Sequence, residues 1–124
     1  MKFVDTNILI RLITDDIPTL RQQAEKMVTA HGSGQLIILD AILAEVFFVL
    51  EKGRYKFNRE QVCQKLSDLL LSTQFAISTE AEAAIKAAAE NQRLDFADCL
   101  LVAHAGFQKI NLLTFDKDLL AAAK

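Results

Sequence analysis

The chain has 124 residues, of which 52% are apolar and 24% are charged, and its formal net charge is −2. This length accommodates one core but not two ordinary domains, so we predict a single domain over residues 1–124. The slight negative charge argues against indiscriminate nucleic-acid binding, which neutralises phosphates, although it leaves room for a local basic groove. No apolar run approaches the roughly 20 residues of a membrane-spanning helix, and no signal peptide is evident, so we expect a cytoplasmic protein with no membrane partner.

Short strand-like runs alternate with helical patterns along the chain. Strands alternating with helices favour parallel pairing, so we predict an α/β fold, a three-layer α/β/α sandwich with a short parallel sheet of about four strands. The predicted strands are residues 2–4, 36–39, 75–77 and 111–114. The predicted helix starts are Pro18 in a first turn, Asn58 with Gln61, Thr79 with Glu82 as a capping box, and Asp95 as a cap.

Glu45 lies in an otherwise apolar run, residues 41–50, with the sequence AILAEVFFVL. A helix that is apolar on every side is typically buried, so we expect the carboxylate of Glu45 to be buried. An unpaired buried carboxylate costs several kcal/mol or takes up a proton. A cation from the protein or a metal ion is therefore expected beside it, although a buried Glu also pairs with Arg or Lys for structural reasons.

Further acids lie where the predicted strands end. Asp5 directly follows the first strand, Asp116 follows the fourth, and Asp95 and Asp98 lie at the start of a helix. The ligand site of a parallel α/β sheet lies beyond the carboxyl ends of its strands, where these acids are expected. Gathered carboxylates repel one another unless a cation holds them ionised, and oxygen-only ligands favour Mg²⁺ or Mn²⁺.

Taken singly, most of these residues have an ordinary structural explanation. The triplet Asp5-Thr6-Asn7 is typical of a strand-to-helix turn, and Asp95 is a common N-cap. Asp98 fits the third position of a capping box, and Asp116 fits the cap of a short last helix. The joint pattern, rather than any single acid, indicates a site.

The chain resembles the PIN domain, and more narrowly the VapC-type toxins of toxin–antitoxin pairs. The resemblance covers nearly the whole chain and follows the family order of motifs, which here read FVDTNI, AILAEVFFVL, DFADCLLVAHA and LLTFD. It implies hydrolysis of RNA phosphodiester bonds by water that a bound Mg²⁺ or Mn²⁺ activates. The implied catalytic and metal-binding residues are Asp5, Glu45, Asp98 and Asp116, with Asn7, Thr6, Asp95 and Thr114 as secondary candidates.

A basic segment with interleaved aromatic residues follows the Glu45 helix. Basic and aromatic side chains suit single-stranded RNA, whereas the competing interpretation is a solvated loop between two helices. Arg11 is a further candidate to contact a phosphate or neutralise an acid. The RNA-binding candidates are Arg11, Lys52, Arg54, Lys56 and Arg59, with Tyr55 and Phe57 between them.

The resemblance also implies partners: a VapB-like antitoxin that covers the site, a toxin homodimer and a toxin–antitoxin hetero-oligomer. Two alternatives stay open at this point. One is a non-catalytic PIN-like module that binds RNA or protein, with the acids as a structural cluster. The other is a housekeeping PIN nuclease that acts on another nucleic acid.

Overall fold

The computed structural model describes residues 1–124, which form two compact units, residues 1–77 and residues 78–124. Both units are rich in helix, and all the strands belong to the first. The first unit contains β1 (Lys2–Phe3), α1 (Thr6–Ile13), α2 (Pro18–Thr29), β2 (Leu36–Ile37), α3 (Asp40–Lys52), α4 (Arg59–Leu70) and β3 (Phe75–Ala76). The second contains α5 (Thr79–Glu90), α6 (Phe96–Gln108) and α7 (Lys117–Ala122).

The three strands form one parallel sheet in the order β1-β2-β3. Helices α1 and α2 connect β1 to β2, and α3 and α4 connect β2 to β3, as parallel pairing requires. The predicted α/β class with a small parallel sheet is thereby confirmed. Each strand is one or two residues shorter than predicted, within the usual uncertainty of element ends.

The fourth predicted strand is absent. Residues 111–114 are neither helix nor strand, and no neighbouring strand hydrogen-bonds to them. Leu113 is fully exposed at 103%, so its apolar side chain does not pack against a core. An apolar run becomes a strand only when a neighbouring strand pairs with its backbone groups, which this segment lacks.

The core of the first unit lies among its helices. Helix α1 packs against α2, α3 and α4, and α3 also packs against α4. The side chains of Leu9, Leu43, Leu50 and Leu66 come from three of these helices and are completely buried. This packing fixes the start of α1 relative to the middle of α3, where two of the four predicted catalytic residues, Asp5 and Glu45, lie.

Local capping signals define where the helices begin. The side chain of Asn58 accepts a hydrogen bond from the Gln61 amide at 2.8 Å, and the Gln61 side chain accepts one from the Asn58 amide at 2.9 Å. The predicted helix start at Asn58 with Gln61 is therefore confirmed, and the two residues form a capping box. At α5 the prediction was one residue late, because Ser78, not Thr79, is the cap and accepts from the Ala81 amide at 3.0 Å.

Replacing Asn58 by Ala is expected to lower the free energy of unfolding by about 1 kcal/mol, because the Gln61 amide at the start of α4 loses its side-chain partner. Asn58→Ser keeps a capping oxygen and serves as the matched control, with a smaller loss. Urea unfolding followed by circular dichroism measures both variants. Equal stability of Asn58→Ala and the wild type would contradict a stabilising role for this cap.

In the second unit, α6 packs against both α5 and α7. Asp95 caps α6 and Asp116 caps α7, as the sequence predicts. Apolar side chains on the inner faces of α5 and α6, including Ala84, Ala88 and Cys99, are buried. The small residues of α5 allow the two helices to approach closely.

Candidate metal site

The first acidic group lies in the first unit, where β1 leads into α1. Asp5 is the N-cap residue of α1 by backbone conformation, but its side chain makes no capping hydrogen bond and is exposed. A capping role thus does not occupy this carboxylate. Thr6, the next residue, is buried, and its Oγ1 donates a hydrogen bond to Oε2 of Glu45 at 2.9 Å.

Glu45 is exposed, so the expectation that it is buried was wrong. Helix α3 buries Leu43, Val46 and Phe47 on one side. The opposite side carries Glu45 and Phe48 three residues apart, and Phe48 is 66% exposed. The run is apolar on all sides, but only one side meets the core. Because solvent reaches Glu45, the hydroxyl of Thr6 suffices as its partner and no cation from the protein is needed.

The second acidic group lies in the second unit. At the start of α6, Asp95 Oδ1 accepts from the Asp98 amide at 2.8 Å, and Asp98 Oδ2 accepts from the Asp95 amide at 3.4 Å. At the start of α7, Asp116 Oδ1 accepts from the amides of Asp118 and Leu119 at 2.8 and 3.0 Å. The capping explanation is therefore confirmed for Asp95, Asp98 and Asp116. Thr114 supports the last of these, since its Oγ1 accepts from the Asp116 amide at 3.0 Å.

Capping does not use up these carboxylates. One oxygen of Asp98 and one of Asp116 accept backbone hydrogen bonds, and one oxygen of Glu45 accepts from Thr6. In each case a hydrogen bond to one oxygen orients the carboxylate, and the second oxygen remains able to bind a ligand. Neither carboxylate oxygen of Asp5 makes a capping hydrogen bond. Oriented carboxylates with one open oxygen suit a ligand that prefers oxygen donors.

The electrostatics single out Asp98 among these acids. Partial burial raises the pKa of Asp98, and the neighbouring charges of Asp95 and Asp116 raise it further. The backbone hydrogen bond from Asp95 opposes this effect without cancelling it. Asp98 is thus a carboxylate held in a negative environment, which a bound cation relieves.

No group of three or more His, Cys, Asp or Glu side chains in the chain is arranged to hold a metal ion. The donors nevertheless fit one chemically, because all of them are carboxylate or hydroxyl oxygens, the ligands that Mg²⁺ and Mn²⁺ prefer. Asn7, the remaining secondary candidate, is exposed in the first turn of α1, next to Thr6. Repulsion at Asp98 and the unengaged side chain of Asp5 agree with this chemistry.

The predicted RNA-binding residues separate into two kinds. Arg59 is 8% exposed and its Nε donates to Glu51 Oε1 at 3.1 Å, so its guanidinium forms a buried structural ion pair. Arg11 and Arg54 both pair with Asp16, a residue that the sequence did not single out. No local spacing signals this pairing, because Asp16 and Arg54 are 38 residues apart. Lys52 and Lys56 are exposed.

No helix in the chain is both long and apolar enough to cross a membrane.

Comparison with known proteins gives one family. No curated protein and no solved structure matches the chain. The sequence profile of the PIN domain matches residues 2–124, and PIN domains are generally metal-dependent nucleases. Since the match spans nearly the whole sequence, the chain belongs to the PIN domain family.

Proposed function

We propose that this protein is a metal-dependent endoribonuclease, the VapC-type toxin of a toxin–antitoxin pair. The observation that carries the proposal is how the carboxylates are surrounded and hydrogen-bonded in a chain of the PIN family. Asp98 lies among like charges, Asp5 is not engaged as a cap, and Glu45 is held through one oxygen. Carboxylates in this state suit an Mg²⁺ or Mn²⁺ ion better than a purely structural cluster.

The metal ligands in this proposal are Asp5, Glu45, Asp98 and Asp116. A divalent cation held by carboxylates of this kind would supply a Lewis acid for hydrolysis of a phosphodiester. Thr6 fixes Oε2 of Glu45, which leaves Oε1 to bind the cation or to accept a proton from a nearby water. Asp98 and Asp116 are held by the first turns of α6 and α7. The side chains of the protein would therefore hold the cation, and the cation would supply Lewis acidity to the phosphodiester, whose phosphorus is the electrophile.

The proposed partners are an RNA substrate, a VapB-like antitoxin and a second copy of the chain, in a cytoplasmic setting. Large apolar side chains on the first unit support protein partners, because Phe3, Phe48 and Leu71 are between 66% and 79% exposed. An antitoxin segment that covers the acids would restrain the nuclease.

The test is cleavage of total cellular RNA by purified, partner-free protein, with Mg²⁺ or Mn²⁺ and with a chelator, followed by sequencing of the new RNA ends. We expect discrete ends that depend on metal and are missing with Asp98→Asn. Absence of new ends under every condition would contradict the proposal and favour the non-catalytic binding module. In a parallel incubation with DNA, cleavage of DNA in preference to RNA would favour a housekeeping nuclease.

A further inference from the structure

Asp16 joins two loops of the first unit. It follows α1, and its carboxylate accepts hydrogen bonds from Thr14 Oγ1 at 2.9 Å, from Arg11 at 3.3 Å and from the Tyr55 hydroxyl at 2.8 Å. Arg54, in the loop after α3, also pairs with it. One exposed carboxylate therefore collects two guanidinium groups and a phenol. We call Arg11, Asp16, Arg54 and Tyr55 the Asp16 cluster.

The aromatic side chains of this loop form a surface flanked by cations. The guanidinium carbon of Arg54 lies 5.0 Å from the centre of the Tyr55 ring. The rings of Tyr55 and Phe57 are 5.9 Å apart at an angle of 39°, and the Lys65 ammonium lies 5.3 Å from the Phe57 ring. Half-exposed aromatic rings beside positive charges are the features on which bases of a single strand stack.

Helices α1 and α3 lead from the first acidic group to the Asp16 cluster. The Thr6–Glu45 hydrogen bond joins the start of α1 to the middle of α3. Arg11 lies five residues further along α1, about 7.5 Å at the rise of an α-helix. On α3, Lys52 lies seven residues beyond Glu45, about 10 Å along the axis. The ends of α1 and α3 that carry the Asp16 cluster therefore lie about two helical turns from the first acidic group, a span that a short single-stranded RNA covers.

The Asp16 cluster itself carries a net positive charge. Arg11 and Arg54 together outnumber the single carboxylate, and the exposed side chains of Lys52 and Lys56 add to them. The pKa of Asp16 is lowered, chiefly by the hydrogen bond from Tyr55, so Asp16 is ionised and holds its partners. The net effect is a pair of fixed guanidinium groups with donors to spare.

We propose that the Asp16 cluster binds single-stranded RNA beside the phosphodiester that is cut. This proposal rests on the proposed nuclease function. Arg11 and Arg54 bind a neighbouring phosphate, and Tyr55 stacks on a base. Asp16 is a positioning residue that keeps the two arginines in place. The aromatic surface favours RNA over an acidic peptide, which would need only the cations.

The test measures binding of a mixed-sequence, fluorescein-labelled single-stranded oligoribonucleotide by fluorescence anisotropy. A chelator is present throughout, so no metal-dependent cleavage interferes. We expect Tyr55→Ala to weaken binding about tenfold, as loss of one stacked base does. Arg54→Ala is expected to weaken it about fivefold and to reduce the salt slope by about 0.7, the loss of one phosphate contact. Lys26→Ala removes an exposed charge from α2 and is the matched control, with binding unchanged.

Two further binding measurements distinguish single-stranded RNA from other ligands. Double-stranded RNA of the same length should bind Tyr55→Ala and the wild type alike, because its bases are not free to stack. The second measurement adds an acidic peptide as competitor. If the peptide displaces the single-stranded RNA, and if Tyr55→Ala and Arg54→Ala weaken peptide binding equally, the proposal is overturned in favour of a protein-binding surface. Wild-type affinity in both variants, or no binding by the wild type, would overturn it as well. Because cleavage is not the readout, failure of the nuclease proposal is detected separately, by the RNA-end experiment.

Discussion

Replacing Asp98 by Asn is expected to abolish metal-dependent RNA cleavage without lowering the stability of the protein. Asn keeps an oxygen that accepts the backbone hydrogen bond from Asp95, so the start of α6 stays capped. The variant loses the negative charge that a divalent cation requires. Loss of residues that merely support metal ligands costs about 10–100-fold in activity, so loss of a direct ligand is expected to exceed 100-fold.

The difference in stability between Asp98→Asn and the wild type should depend on pH in a defined direction. Since the pKa of Asp98 is raised in the folded protein, the folded state binds this proton more tightly than the unfolded chain. The wild type therefore loses stability as pH rises through that raised pKa. Relative to it, Asp98→Asn gains stability above the folded pKa, and the gain disappears below the ordinary value of 3.8. Thermal unfolding in chelator at pH 7 and pH 3.5 measures this difference.

Asp68→Asn is the matched control for both measurements. Asp68 is an exposed acid on α4 that accepts a hydrogen bond from Gln64 at 2.9 Å, and it lies outside both acidic groups. We expect wild-type cleavage and near wild-type stability. Full cleavage by Asp98→Asn, or loss of cleavage only in step with unfolding, would contradict a metal-binding role for Asp98.

Replacing Thr6 by Val is expected to reduce cleavage about 10–100-fold, the usual cost of removing a group that orients a metal ligand. Val fills the same buried space but lacks the hydroxyl that holds Glu45 at 2.9 Å. Glu45 is exposed, so it regains hydrogen bonds from water and the fold tolerates the change. The metal concentration that gives half-maximal cleavage should rise.

Thr6→Ser restores the hydroxyl and is expected to recover most of the cleavage, although it loses a buried methyl group. Titration of Mn²⁺ in a single-turnover cleavage assay compares the three proteins. If Thr6→Val cleaves as well as the wild type, or if Thr6→Ser recovers none of the activity that Thr6→Val loses, the hydrogen bond to Glu45 has no specific role in cleavage.

The sequence predicted best what depends on neighbouring residues. The caps at Asn58 and Asp95 are correct because each involves residues three apart, whose spacing is visible in the chain. The three strands and the helices between them are also found, because apolar runs and helix starts are local signals. The acids at helix starts were therefore placed correctly on their elements.

Long-range relationships account for the errors and omissions. The fourth strand at residues 111–114 has no pairing partner, and the presence of a partner cannot be read from the segment itself. The exposure of Glu45 depends on which side of α3 meets the core, which an apolar composition on all sides does not specify. Asp16 was missed because its partner Arg54 is 38 residues away.

The central claim is that Asp5 and Asp98 are ligands of divalent cations, and calorimetric titration of Mn²⁺ into the partner-free protein tests it most directly. We expect saturable binding by the wild type and by Asp68→Asn, with affinity reduced more than tenfold in Asp5→Asn and in Asp98→Asn. Equal affinity in all four proteins, or no binding by the wild type, would contradict the assignment of these carboxylates as metal ligands.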